Sequence, residues 1–149
     1  MTDFKKILND LKPDKKMVKH FKHKGWMGWK EIDSDSSHPN NIKNHIDRFL
    51  TETDWDESKN KRILDIACGN GLSTYYLSPF FNQIWGIDAD VGWRVNGIEY
   101  LRDVIGKDKV RFDHIKDDKK RQNYYSKFSD NYFDYIFMVR VGHFFDKPY

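Results

Sequence analysis

Apolar residues recur along the chain with two alternating spacings, and these predict the order of helices and strands. Spacings of three and four residues predict a helix at the N-terminus, another after Pro13 and a third starting near Pro39, a residue suited to a first helical turn. The apolar positions are Phe4, Ile7, Leu8 and Leu11, then Met17, Val18 and Phe21, then Ile42, Ile46, Phe49 and Leu50. Short apolar runs predict four buried strands, at residues 63–67, 84–87, 110–112 and 133–139.

Helical spacing returns between the strands, over residues 72–77 and 91–105, and Gly106 stands where a helix C-cap is expected. Strands that alternate with helices favour parallel pairing with helical crossovers, so the predicted fold class is α/β with a parallel sheet. We therefore expect a helical N-terminal cap over residues 1–58 and a sheet domain over residues 59–149.

The composition limits the class of protein. A chain of 149 residues fits one domain, and no apolar run approaches the roughly 18 residues of a membrane helix, so no membrane partner is expected. One cysteine excludes an internal disulfide and a four-cysteine zinc site, so we expect a cytoplasmic protein without a metal site. Residues 1–31 hold nine lysines against four acidic residues, a balance that allows contact with nucleic acid.

The chemistry is concentrated in the segment Leu64-Asp65-Ile66-Ala67-Cys68-Gly69-Asn70-Gly71, a glycine-containing turn between a predicted strand and a predicted helix. Glycines at such a turn allow a sharp bend and let a ligand lie against the main chain. The next predicted strand ends at Asp88, where a carboxylate can accept hydrogen bonds from both ribose hydroxyls of a nucleoside. The turn and the acid together predict a nucleoside-binding site.

Two classes of cofactor use this arrangement. A dinucleotide fold has a third glycine in G-x-G-x-x-G, so that the helix offers its N-terminus to pyrophosphate, whereas this chain has Thr74 at that position. Asp65, just before the turn, would repel pyrophosphate but favour the methionyl ammonium group of S-adenosylmethionine. The residues therefore favour the methyl donor, and a nicotinamide-dinucleotide-binding oxidoreductase domain is the less favoured alternative.

At these residues the sequence resembles the class I S-adenosylmethionine-dependent methyltransferases. Residues 64–71 are similar to the family's first motif, in the variant with an alanine, Ala67, at the first glycine position, and residues 84–88 are similar to its second motif. Residues 129–136 resemble the stretch that leads into the family's fourth strand. The resemblance implies a Rossmann-like fold and methyl transfer from S-adenosylmethionine to an acceptor, with a small molecule as the default acceptor.

Carried over position by position, the resemblance also implies a set of cofactor-binding residues. They are Asp65, Ala67, Gly69, Gly71, Asp88 and Asp117. The residues of the turn would line the methionyl side of the cofactor, Asp88 would bind the ribose and Asp117 would contact the adenine. No catalytic residue is assigned, because methyl transfer in this family depends largely on positioning the acceptor.

The family's sheet has seven strands, whereas only four are predicted in this chain. We therefore expect a domain that is incomplete at its C-terminus, either the N-terminal piece of a longer protein or a reduced relative. The first alternative function is accordingly a catalytically inactive protein that binds the cofactor only or acts as a binding module. A sheet that ends at the fourth strand would leave an edge unpaired, which predicts an oligomer or a partner chain covering that edge.

Overall fold

The computed structural model describes residues 3–12, 37–56, 61–68, 71–88, 101–115 and 123–138. Helices α1 and α2 come first, and strands then alternate with further helical segments. The bounds are α1 Phe4–Asp10, α2 Ser37–Glu52, β1 Arg62–Ile66, α3 Leu72–Leu77, β2 Gln83–Asp88, β3 Val110–His114, a 3₁₀ turn Tyr125–Lys127 and β4 Tyr135–Met138. Residues 101–105 are also helical and precede Gly106, whose φ of 120° suits the predicted C-cap.

The four strands form one sheet in the order β3-β2-β1-β4, and every pairing in it is parallel. β1 is central: its Ile66 pairs with Ile87 of β2 on one side and with Met138 of β4 on the other. The predicted α/β class with a Rossmann-like parallel sheet is therefore confirmed. Since β2 and β4 flank β1 on opposite sides, the chain reverses its direction of winding at β1.

One face of the sheet packs against the N-terminal helices in a single apolar core. Leu8 of α1 and Ile46 and Leu50 of α2 are buried together with residues of the sheet and of α3. The buried members of this core are Leu8, Ile46, Leu50, Ile63, Leu72, Tyr76, Leu77, Phe80, Phe81, Ile84, Leu101 and Phe137. The apolar stripes predicted in α1 and α2 thus face this common core, which gives these helices most of their stability.

The opposite face of the sheet is covered by aromatic residues that follow the 3₁₀ turn. Leu64, Ile66 and Ile87 are buried under this layer, and within it the ring centroids of Phe128 and Phe133 lie 4.8 Å apart. The layer does not extend over β4, where Ile136 is 57% exposed and Met138 39% exposed.

Several helices and strands begin or end one or two residues away from their predicted boundaries, for identifiable reasons. β1 ends at Ile66, because Ala67 has a φ of 57° and turns the chain away from the sheet. β4 starts at Tyr135, because Phe133 belongs to the aromatic layer and Asp134 uses its carboxylate to accept the Arg62 backbone N–H at 2.8 Å. The helix predicted near Pro39 starts two residues earlier, at Ser37.

Other predictions fall outside the described residues, namely the helix around residues 17–21 and the start of the helix over residues 91–105. Among the helices that the structure does describe, none combines the length and the apolar character needed to cross a membrane.

Candidate cofactor site

The turn after β1 is held by backbone hydrogen bonds to its neighbours. The Cys68 N–H donates to the Ile87 carbonyl of β2 at 3.1 Å, and the Gly71 N–H donates to the Cys68 carbonyl at 3.0 Å. Gly71 then begins the first turn of α3 with a φ of 95°, a conformation that glycine adopts without strain. Ala67 has a φ of 57°, so it takes a left-handed backbone at the family's first glycine position.

Two glycines allow other parts of the chain to approach this turn closely. A Cβ atom at Gly71 would lie 2.8 Å from Cδ2 of Leu101. A Cβ atom at Gly86 in β2 would lie 2.7 Å from two ring carbons of Phe112 and 2.9 Å from the sulfur of Cys68. Cys68 itself is buried and its sulfur lies close to Gly86 of β2, which fits a filler side chain better than a nucleophile.

Asp65 occupies the centre of the site and is bound by the first turn of α3. Its side chain is 1% exposed. Its Oδ2 atom accepts the hydroxyl of Ser73 at 2.7 Å and the hydroxyl of Thr74 at 2.8 Å. The position at which a dinucleotide fold has its third glycine therefore carries a hydroxyl that binds the carboxylate before the turn.

The surroundings of Asp65 control its ionisation. Burial raises its pKa from 3.8 to about 7, the hydrogen bonds from Ser73 and Thr74 oppose this effect, and the nearby charge of Asp88 adds to it. The neutral form of the carboxyl group is thus favoured more than in an exposed aspartate. This weakens its expected repulsion of pyrophosphate, but a cationic ligand group beside it would favour the charged form and lower its pKa again.

Asp88 lies at the same edge of the sheet as the turn. It ends β2, one residue beyond the Ile66–Ile87 pair, and its carbonyl accepts the Ile115 N–H at 2.9 Å. Its side chain is partly exposed. The structure thus brings together four of the six residues implied by the resemblance, Asp65, Ala67, Gly71 and Asp88, whereas Gly69 and Asp117 lie outside the described residues.

A second polar cluster at the end of β3 was not predicted from the sequence. Asp113 accepts the phenol of Tyr124 at 2.7 Å and the ammonium of Lys127 at 2.8 Å, both on Oδ2. Burial alone would raise the pKa of Asp113, but the hydrogen bonds from Lys127 and Tyr124 hold it below its usual value. These residues are eleven and fourteen positions from Asp113 and match no periodic pattern, so the sequence carried no signal for the cluster.

The position of the turn within the sheet favours a ligand. In open parallel sheets, ligands bind outside the carboxyl ends of the strands where the strand order reverses. Here that point lies between β1 and β4, and the turn leaves the carboxyl end of β1. The described residues therefore bring the start of this turn and two carboxyl groups to the edge of the sheet where a ligand is expected.

Comparison with known proteins agrees with the fold. A family model described as a methyltransferase domain matches residues 64–149, and a search of curated proteins finds no match. Among solved structures, the YcgJ protein from Bacillus subtilis is similar with a TM-score of 0.53 and 22% identity, over 70% of this chain and 41% of that one. WbdD is similar with a TM-score of 0.51 and 16% identity, over 95% of this chain and 30% of that one.

An S-adenosylmethionine-dependent methyltransferase from Clostridium acetobutylicum is 24% identical over 72% of this chain and 38% of that one, with a TM-score of 0.46. The chain thus spans well under half the length of each of these structures. The likeness to the YcgJ protein and WbdD, whose TM-scores exceed 0.5, shows the fold, and the family model covers more than half of the chain. The chain belongs to the methyltransferase domain family, the class I S-adenosylmethionine-dependent methyltransferases that its motifs resemble.

Proposed function

We propose that this protein binds S-adenosylmethionine and transfers its methyl group to a small-molecule acceptor. The observation that carries the proposal is the meeting of the turn after β1 and Asp88 at one edge of the sheet, next to the point where strand order reverses. Family membership supports the class of reaction. The cytoplasmic location expected from the single cysteine is part of the same proposal.

The residues present suit this cofactor. Gly71 supplies the left-handed backbone with which α3 begins, and Asp65 and Asp88 are carboxyl groups that favour an ammonium group and ribose hydroxyls. S-Adenosylmethionine supplies an electrophilic methyl group on a sulfonium. The part of this chain would be to hold the cofactor in one orientation, with Asp65, Ala67, Gly69 and Gly71 on the methionyl side, Asp88 at the ribose and Asp117 at the adenine.

The state of Asp65 explains how such a site would select its ligand. A cationic group beside a buried carboxyl group with a pKa of about 7 stabilises the charged form. An anionic pyrophosphate would instead keep the carboxyl group protonated and gain no charge attraction from it. The site therefore favours a cofactor with an ammonium group over a dinucleotide.

Calorimetric titration with S-adenosylhomocysteine tests the binding claim. The wild-type protein should bind it, and Asp88→Ala should weaken the affinity at least tenfold, or about 1.4 kcal/mol, because hydrogen bonds to a charged carboxylate are lost. Asp130→Ala is the matched control, since Asp130 is an exposed acid in the loop before β4. A folded wild-type protein that gives no heat at high concentration, or an unchanged affinity of Asp88→Ala, contradicts the proposal.

Turnover is measured separately from binding. Incubation with S-adenosylmethionine and a mixture of small acceptors should release S-adenosylhomocysteine, and a binding protein without turnover would give the calorimetric signal alone. Fluorescence titration with a reduced nicotinamide cofactor should give no saturable binding, and saturation there would favour an oxidoreductase domain. Addition of nucleic acid to the assay tests whether nucleic acid, bound by the lysine-rich N-terminal segment, is the methyl acceptor instead.

A further inference from the structure

A cleft lies at the amino ends of the strands, at the edge of the sheet opposite the glycine turn. Its volume is about 340 Å³, which lies within the range of roughly 300–1,000 Å³ for small-molecule sites. It is lined by Arg62, Asn82, Gln83, Asp108 and Lys109. Gln83 begins β2 and Asp88 ends it, so at about 3.3 Å per residue the two edges are about 16 Å apart. A ligand here would not overlap a nucleoside at the opposite edge.

Arg62 contributes a cation that is already positioned. Its guanidinium carbon lies 4.4 Å from the centroid of the Tyr132 ring, and its Nη1 donates to the Tyr132 carbonyl at 3.5 Å. Within the described residues the guanidinium has no carboxylate partner. Contact with the ring restricts its rotamers, so less side-chain entropy is lost when its remaining N–H groups bind an anion.

Lys109 contributes a second cation to the same cleft. Its carbonyl accepts the Ile84 N–H at 2.8 Å, which fixes its backbone beside the start of β2. The side chain is partly buried, and this loss of hydration lowers the pKa of the ammonium group. No carboxylate of the described part of the chain pairs with it. An anion bound in the cleft would replace the lost hydration and favour the charged form.

The other lining groups define the ligand further. Asn82 and Gln83 add side-chain amides, whose N–H groups can donate to an oxyanion. Asp108 adds one exposed carboxylate, so the lining side chains carry two positive charges and one negative charge. A ligand that is a dianion with several acceptor oxygens matches two cations and two amides better than a ligand with a single carboxylate group. The volume of the cleft also leaves room for the group to which the dianion is attached.

We propose that this cleft binds a phosphoryl group, carried by a phosphate ester or by a nucleic-acid backbone, with Arg62 and Lys109 as its cationic contacts. The two sources share the same chemistry at the cleft. Asp108 opposes binding by its charge, and this gives the site a distinctive response to substitution. Removal of either cation weakens binding, whereas removal of the neighbouring acid strengthens it.

The test is a ¹H–¹⁵N NMR titration of the full chain with inorganic phosphate and, separately, with a short single-stranded RNA. Inorganic phosphate should shift the amide signals of Arg62, Gln83 and Lys109 and leave those of Gly71 and Asp88 unchanged. Arg62→Gln and Lys109→Gln should each raise the dissociation constant about fivefold, and Asp108→Asn should lower it about twofold, as expected for partly exposed charges. The probe that binds more tightly identifies the source of the phosphoryl group.

Arg48→Gln and Lys6→Gln are matched controls, because each removes one positive charge from an exposed helix surface. Arg48 pairs with Glu52 at 2.8 Å and Lys6 with Asp10 at 3.0 Å, and neither residue lines the cleft. Both controls should bind phosphate as the wild type does. Three results would each overturn the proposal. The first is an equal loss of affinity in the controls and in the cleft variants, and the second is an unchanged or weaker affinity in folded Asp108→Asn. The third is that neither phosphate nor RNA shifts the amide signals of the cleft.

Discussion

Substitution of Asp65 by asparagine should remove a large pH dependence from the stability of the fold. Asp65 is 1% exposed and its Oδ2 accepts two hydroxyls, from Ser73 and Thr74. An asparagine keeps a carbonyl oxygen for these hydroxyls but never ionises. Since it resembles the protonated acid in shape and charge, the comparison isolates the cost of burying the charge.

The magnitude follows from the pKa of Asp65, which burial raises from 3.8 to about 7. Because the native state holds the proton more tightly, this group stabilises the fold fully below about pH 3.8, and the contribution is lost as the pH rises to about 7. The total is about 4 kcal/mol at roughly 1.4 kcal/mol per pH unit. About 2–3 kcal/mol of it falls between pH 5 and pH 8.

The assay is urea denaturation of both proteins across this pH interval, followed by circular dichroism. The wild type should lose about 2–3 kcal/mol of unfolding free energy relative to Asp65→Asn between pH 5 and pH 8. The titration of histidines and other groups cancels in this difference, because both proteins share them. We therefore expect the difference in unfolding free energy between the two proteins to have shifted in favour of the variant, compared with the difference at pH 5, once the pH passes 7.

Asp113→Asn provides a control with the opposite sign. Burial would raise the pKa of Asp113, but hydrogen bonds from Lys127 and Tyr124 outweigh it and hold the pKa below its usual value. The wild type should therefore lose stability relative to Asp113→Asn as the pH falls toward the acid range. A difference between wild type and Asp65→Asn that stays constant from pH 5 to pH 8 would refute the reasoning about Asp65.

Two further substitutions test the packing around the site. Gly86→Ala should lower the unfolding free energy by about 1–3 kcal/mol, because the added methyl group would lie 2.7 Å from the Phe112 ring. A melting temperature equal to that of the wild type would contradict this, because it would show that the ring moves aside freely. Tyr124→Phe should lower the unfolding free energy by about 1–2 kcal/mol, because the hydroxyl that donates to Asp113 at 2.7 Å is lost. Urea denaturation at neutral pH measures this change, and an unchanged midpoint would contradict a structural role for the hydrogen bond.

Much of the architecture is predictable from local patterns. The apolar run predicts β2 over residues 84–87, and the strand extends one residue further at each end. Helix α3 matches its predicted residues. The Gly71 turn follows a strand and Asp88 ends one, and the apolar runs of these strands make both features predictable. Patterns of this kind succeed because a buried strand or an amphipathic helix imposes its own period on a short stretch of sequence.

The side-chain contacts that complete the site are harder to predict from local patterns. The motif identifies Thr74 only as the residue in place of a third glycine, whereas in the structure its hydroxyl donates to Asp65 at 2.8 Å. The apolar run places Phe133 in β4, whereas in the structure it packs in the aromatic layer on the opposite face from Phe137. In both cases the residue type fits two roles, and only its neighbours in space distinguish them.

The sequence by itself determined the alternation of helices and strands, the glycine turn and the family to which the chain belongs. Tertiary structure decided the strand order β3-β2-β1-β4, the raised pKa of Asp65 and the meeting of Arg62 with Lys109 in one cleft. The physical reason is that periodicity reflects which side of a single element is buried. Contacts between distant residues, and the burial that changes a pKa, arise only when parallel strands bring separate segments side by side.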